Sequence, residues 1–207
     1  MTLPGLRLQP VPPATLANHY CRFHHKFVQP GRLFDRSWDC ESTQVQGRLE
    51  WCRSMIFPGK VTAQPTPLFG NFIERMALIS PAQLQSLLCS AVLLSRRESF
   101  RHCINGAKIR TIHEMIGTPA LAALLKSRSV HKAPTVPIDW TVPALLGEGF
   151  ALINRTYSGQ RSVILDLIRF ALPRDLPDCI LESDEQSFEK LVVETHKWYP
   201  ELQWLFG

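Results

Sequence analysis

Cysteine and histidine fall close together at two places in this chain of 207 residues, and both arrangements use residue types capable of chemistry. Near the N-terminus Cys21 is followed by His24 and His25, with Cys40 and Cys52 further on. Thiolate and imidazole are the ligands zinc prefers, and a C-x-x-H spacing brings two of them within reach of one ion. A structural zinc site usually draws on two close doublets, however, whereas Cys40 and Cys52 are single residues in or beside a helix. Core thiols and surface histidines fit the pattern better. Further along, Cys89 and Cys103 accompany His102, His113 and His131, the residue types of a thiol nucleophile and its base. Neighbours on a helix point about 100° apart, so His102 cannot serve Cys103. No nucleophile elbow, phosphate loop, HExxH pair or glycine-rich dinucleotide turn occurs in the sequence. The expectation is a protein with no catalytic residue, no metal and no cofactor.

Charge offers recognition rather than catalysis. From Arg96 to Lys132 there are eight Lys/Arg (Arg96, Arg97, Arg101, Lys108, Arg110, Lys126, Arg128, Lys132) against Glu98 and Glu114, a net of +6. From Asp175 to Glu201 there are eight carboxylates against Lys190 and Lys197, a net of −6. Two segments of opposite sign imply either attraction within the fold or surfaces for two different partners. The basic cluster could neutralise phosphates, and sixteen of the 23 basic residues are arginine, the better bidentate donor. It lacks the interleaved aromatics of single-strand binders, and the acidic segment would repel nucleic acid. A basic helical nucleic-acid-binding domain is therefore the alternative to a protein-binding one.

The elements that must position these residues read as helical throughout. Hydrophobic residues make up 45% and charged residues 20%, ordinary for a chain that buries a core. No export signal is apparent, so the six cysteines belong to a reducing compartment as free thiols, Cys89 and Cys103 on apolar helix faces. The longest apolar tract, Leu87 to Leu94, is broken by Ser90 and falls far short of the roughly 20 residues that span a bilayer. A soluble protein is expected.

Residues 1 to 75 are rich in proline and the least regular, with one helix around Trp38 to Ile56 carrying Val45, Leu49, Cys52, Met55 and Ile56 on one face. From residue 76 to 207 the signal is nearly continuous. Ser80-Pro81 starts a core helix with Leu84, Leu87, Leu88, Ala91 and Val92 inside. A helix through Phe100 and Cys103 stops at Asn105-Gly106, and another with Ile109, Ile112 and Ile116 ends at Gly117 before Thr118-Pro119 restarts the chain. After an extended stretch over 128–143, faces at Leu145, Leu146, Phe150 and Ile153, and at Val163, Ile164, Leu167, Ile168 and Ala171, mark two more. Ser183 with Gln186 fits a capping box for a last helix reaching Trp198. The aromatics Trp198, Tyr199, Trp204 and Phe206 are expected to dock back onto the core. The expectation is an all-α protein: a single compact domain, 1–207, of about seven to nine helices, with its irregular N-terminal region packed on the helical core.

The central run SPAQLQSLLCSAVLLSRRESFRHCINGAKIRTIHEMIG has a leucine-rich helix with a Leu-Cys pair, a short step, a His-Cys helix and an isoleucine-rich one. Over residues 79 to 126 this order resembles the SctK family (YscK/PscK/OrgA-like) of type III secretion proteins. The resemblance implies a non-enzymatic adaptor in the cytoplasmic sorting platform of the bacterial injectisome, peripherally associated with the inner membrane. It would link the cytoplasmic domain of the inner-membrane ring protein (SctD) to the pod protein (SctQ), which carries SctL and the ATPase, and so support effector secretion. The resemblance supplies no functional residues. From charge alone, the Arg96, Arg97, Arg101 face is expected to meet an acidic partner, and Asp184, Glu185 and Glu189 on the final helix another.

Overall fold

Among the described residues Ser80 opens the most deeply buried helix, and its cap shows why the chain turns helical there. In the computed structural model, which describes residues 18, 21, 24–25, 33–56, 72–101, 105–126, 140–157, 162–179 and 198–202, the Ser80 Oγ accepts from the Gln83 backbone N–H at 3.3 Å. The Gln83 Oε1 in turn accepts from the Ser80 N–H at 3.2 Å. This reciprocal capping box, with Pro81 at the first helical position, satisfies backbone donors that a helix start leaves open. The cap and the proline match the expectation, and Gln83 completes the box.

In chain order the helices are α1 (Thr43–Ile56), α2 (Phe72–Met76), α3 (Pro81–Ser95), α4 (Arg97–Arg101), α5 (Gly106–Lys126), α6 (Val142–Thr156) and α7 (Ser162–Phe170), followed by a 3-10 turn at Pro200–Leu202. The described residues contain no strand, so the all-α expectation holds. Two of these segments, α2 and α4, are short, so the described residues hold fewer full-length helices than the seven to nine expected. The helices expected on either side of Gly117 are both present and meet there at a kink within α5, while α2 and α4 are five residues each. Gly117 sits at φ 80° and ψ 164°, a backbone region essentially reserved for glycine, which is how the chain bends without a loop. Asn105-Gly106, read from sequence as a stop, also forms the next start. The Asn105 Oδ1 accepts from the N–H groups of Ala107 and Lys108 at 3.1 Å each and caps α5.

The chain divides into two compact units: 1–84 with 159–174, and 85–158 with 175–207. In the first, α1 and α2 both contact α7. Val45, Leu49, Cys52 and Ile56 of α1 are buried, as expected, but Met55 is 45% exposed because it lies one position, about 100°, off that stripe. The helix begins at Thr43 rather than near Trp38. Asp35 and Asp39 accept from the N–H groups of Ser37 and Glu41, each at 3.0 Å, holding turns that compete with a helix. Trp38 donates its Nε1–H to the Leu172 carbonyl at 2.7 Å and stands edge-on to Phe170. The Arg169 guanidinium covers the Trp38 ring at 5.2 Å and donates to the Pro173 and Arg174 carbonyls.

The second unit holds most of α3, then α4, α5, α6 and the 3-10 turn. Apart from Leu84, which belongs to the first unit, α3 is buried continuously from Leu87 to Leu94, the signature of a helix apolar on nearly every side. Leu145, Leu146, Leu152 and Ile153 of α6 are buried with Ile112, Ile116, Ala120 and Leu124 of α5.

Candidate functional site

The most specific chemistry among the described residues is an ion pair inside the second unit. Arg96, just beyond α3, donates through Nε to Glu148 Oε1 at 3.1 Å and through Nη2 to Oε2 at 2.6 Å. Both side chains are 7% exposed. A guanidinium and a carboxylate meeting fork to fork in a dry setting is the strong form of a charged hydrogen bond. Glu148 lies in the run Leu146-Gly147-Glu148-Gly149 of α6, and the glycines bring its backbone close to its neighbours. A Cβ on Gly149 would stand 3.0 Å from Leu88 Cβ, and one on Gly147 would stand 2.7 Å from the Pro177 carbonyl oxygen and 2.9 Å from Cys179 Sγ. Charge and periodicity alone do not single out Glu148. Its signal in the sequence is a lone carboxylate between glycines in a helix otherwise apolar from Val142 to Ile153.

A second buried polar set ties the chain's end to α3. Tyr199 donates its hydroxyl to the Ser86 carbonyl at 2.9 Å and lies 2.5 Å from Ser90 Oγ. Burial pushes the phenol well above its usual pKa. Trp198 and Leu202 beside it are buried too, so Trp198 and Tyr199 dock onto the core as expected, while Trp204 and Phe206 lie outside the described residues. Ser90, the break in the apolar tract, is buried because Tyr199 provides its partner.

The thiols are similarly built into packing. Cys52 and Cys89 are 0% exposed, and burial pushes each thiol up to about 12, with Asp166 adding to the effect at Cys52. A thiol held there is protonated at neutral pH and a poor nucleophile. Cys40 is raised too, by burial and then by Asp39 and Glu41. Cys21 is exposed, with the nearby His24 and His25 also exposed, and among the described residues no three His, Cys, Asp or Glu side chains converge as metal ligands would. Cys103 and His102 lie outside the described residues.

This helical unit, with its chemistry turned inward, occupies the stretch that carries the sequence resemblance, and comparison with known families decides the kinship. The model of HrpB4, a bacterial type III secretion protein, matches residues 59–201. The chain belongs to the HrpB4 family. HrpB4 is the OrgA/SctK-like family, so the resemblance seen over residues 79 to 126 extends over most of the chain. No match was found among the curated proteins or the solved structures.

Within this HrpB4-family chain, two of the residues expected to bind partners have described side chains, and both are buried. Arg96 is 6% and Arg97 3% exposed, so neither belongs to an outward basic face. The physical reason is Glu148, which draws Arg96 inward as its counter-ion. The Arg101 side chain lies outside the described residues, as do Asp184, Glu185 and Glu189. Lys108 and Arg110, from the same basic segment, are exposed on α5. Among the described residues, no helix is long and apolar enough to cross a membrane.

Proposed function

We propose that this HrpB4-family protein is a non-enzymatic adaptor of the type III secretion sorting platform, linking an SctD-like inner-membrane ring protein to an SctQ-like pod protein. The family match over residues 59–201 carries this reading, because it places the chain in a secretion system. The interior supports it physically. Cys52 and Cys89 are buried with raised thiols, and Arg96 and Glu148 saturate one another, so these reactive side chains serve packing. The protein would act in the cytoplasm, reaching the inner membrane through the apparatus, and support effector secretion.

The test is reconstitution from purified chains: this protein, the SctD-like cytoplasmic domain and the SctQ-like protein of the same secretion system. Co-elution of all three, with SctD-like and SctQ-like chains failing to associate without this protein, is the expected result. If this protein binds neither chain, and deleting it leaves effector secretion intact, the adaptor reading is wrong. The nucleic-acid alternative gains nothing from the structure, since two arginines of its basic cluster are buried.

A further inference from the structure

Glycine in the middle of a helix weakens it and is kept where something must come close. Gly147 and Gly149 have such neighbours in Pro177, Cys179 and Leu88, whereas a Cβ on Gly47, in the middle of α1, would meet nothing within 4 Å. Gly47 begins an outward stripe. Trp51 and Met55 follow it at every fourth position, which places the three within about 80° on the side of α1 turned from buried Val45, Leu49, Cys52 and Ile56. Met55 is 45% exposed and Trp51 half-buried. The Arg48 guanidinium, held by Asp166 at 2.7 Å, stands 4.4 Å from the centre of the Trp51 ring and fixes its place. On the other flank of the stripe Glu50 pairs with Arg53 at 3.6 Å, and both side chains are more than half exposed.

We propose that this stripe of α1 docks a second copy of the chain, antiparallel about a two-fold axis beside Trp51. A two-fold contact must be self-complementary, and this stripe is. Gly47 and Met55 stand four residues either side of Trp51, so the Met55 of each copy enters the space that the other's Gly47 leaves open. In an antiparallel pair like flanks meet, and Glu50 and Arg53 straddle the same centre with opposite charge, so Glu50 of each copy faces Arg53 of the other. Trp51, already placed by Arg48, supplies an aromatic anchor at little cost in ordering. Charge and space on α1 are answered by charge and space on α1, which favours a second copy over an unlike partner. A helix of 14 residues is only about 21 Å long, so the contact is small and the dimer weak and reversible. Self-association of this kind is independent of the adaptor reading.

Sedimentation velocity of the full chain, from about 1 μM to about 0.5 mM, tests this. The wild type should pass reversibly from monomer to dimer as concentration rises. Met55→Lys, Glu50→Arg and Arg53→Glu should each raise the dissociation constant by at least about tenfold. Leu125→Lys, at an exposed leucine of the other unit, should leave it unchanged. Should Met55→Lys misfold, Met55→Ala provides the same readout with a smaller loss. Mixing tests the register. The Glu50→Arg chain carries two cations at the crossing and the Arg53→Glu chain two carboxylates, so together they should recover a heterodimer where each alone stays monomeric. A mixture that also stays monomeric overturns the antiparallel register. A wild type that is monomeric throughout overturns the proposal, as does a dimer that all three α1 variants form equally well. If the wild type stays monomeric while Met55→Lys weakens binding to the purified SctD-like domain or SctQ-like protein, the stripe serves that partner and self-docking is overturned.

Discussion

Arg96 and Glu148, fifty-two residues apart in sequence, are joined by two hydrogen bonds of 3.1 and 2.6 Å, with both side chains 7% exposed. This pair fastens the end of α3 to the middle of α6. Removing one partner strands a buried charge, so Arg96→Ala or Glu148→Ala should each cost about 3–5 kcal/mol. Replacing both at once, as in Arg96→Met with Glu148→Leu, should cost far less than the sum. Urea unfolding of the singles and the double measures the coupling, and additive losses would show that the two side chains act independently.

Glycine substitutions should separate by position. Gly147→Ala places a methyl 2.7 Å from the Pro177 carbonyl oxygen, a backbone atom that can move only with its loop, and should cost about 1–3 kcal/mol. Gly47→Ala in α1 meets nothing within 4 Å and should stabilise by about 0.4–1 kcal/mol through the unfolded chain and helix propensity. Thermal unfolding of the two variants should move in opposite directions.

Gly117→Ala forces a side chain into φ 80°, ψ 164° and should cost about 1–3 kcal/mol although the nearest atom, Pro119 Cδ, is an unstrained 3.8 Å away. A loss here of the same order as at Gly147 identifies backbone strain rather than crowding as the cause.

Tyr199→Phe removes the buried hydroxyl that bonds the Ser86 carbonyl and pairs with Ser90 Oγ, and should destabilise by about 1–3 kcal/mol. Amide exchange should quicken along α3, since the tyrosine fastens the chain's end to that helix.

The thiols make an alkaline prediction. Cys52 and Cys89 rise from 9.0 to about 12 on folding, so the folded state holds protons that the unfolded chain gives up. Stability from this source is complete below about pH 9 and is lost as pH climbs toward 12. The urea midpoint should therefore fall between about pH 8 and about pH 10.5, and less so in a Cys89→Ala variant measured against its own neutral value. In the native protein at neutral pH, a thiol reagent should modify exposed Cys21 rapidly and Cys52 and Cys89 only on unfolding.

Helical class and the major buried faces were legible from periodicity and punctuation. Ser80-Pro81 marked a true start, the isoleucines at 112 and 116 a true inner stripe, and Gly117 a true break, because each depends on backbone geometry within a few residues. Asn105-Gly106 is legible in the sequence as an end but not as the start it also makes, because asparagine and glycine serve both ends of helices, and the side-chain bonds to Ala107 and Lys108 are what show the cap.

What the sequence determined by itself is therefore local: where helices begin, bend and turn their apolar sides, together with an order of central helices that matched its family. Tertiary structure alone decided where the charges went. Arg96 and Lys108 are both basic residues of one segment, yet the first is buried against Glu148 and the second stands in solvent. Whether a cation is drawn inward depends on a carboxylate brought beside it by the fold, here from fifty-two residues away, and on glycines that let the helices approach closely enough for the two to meet.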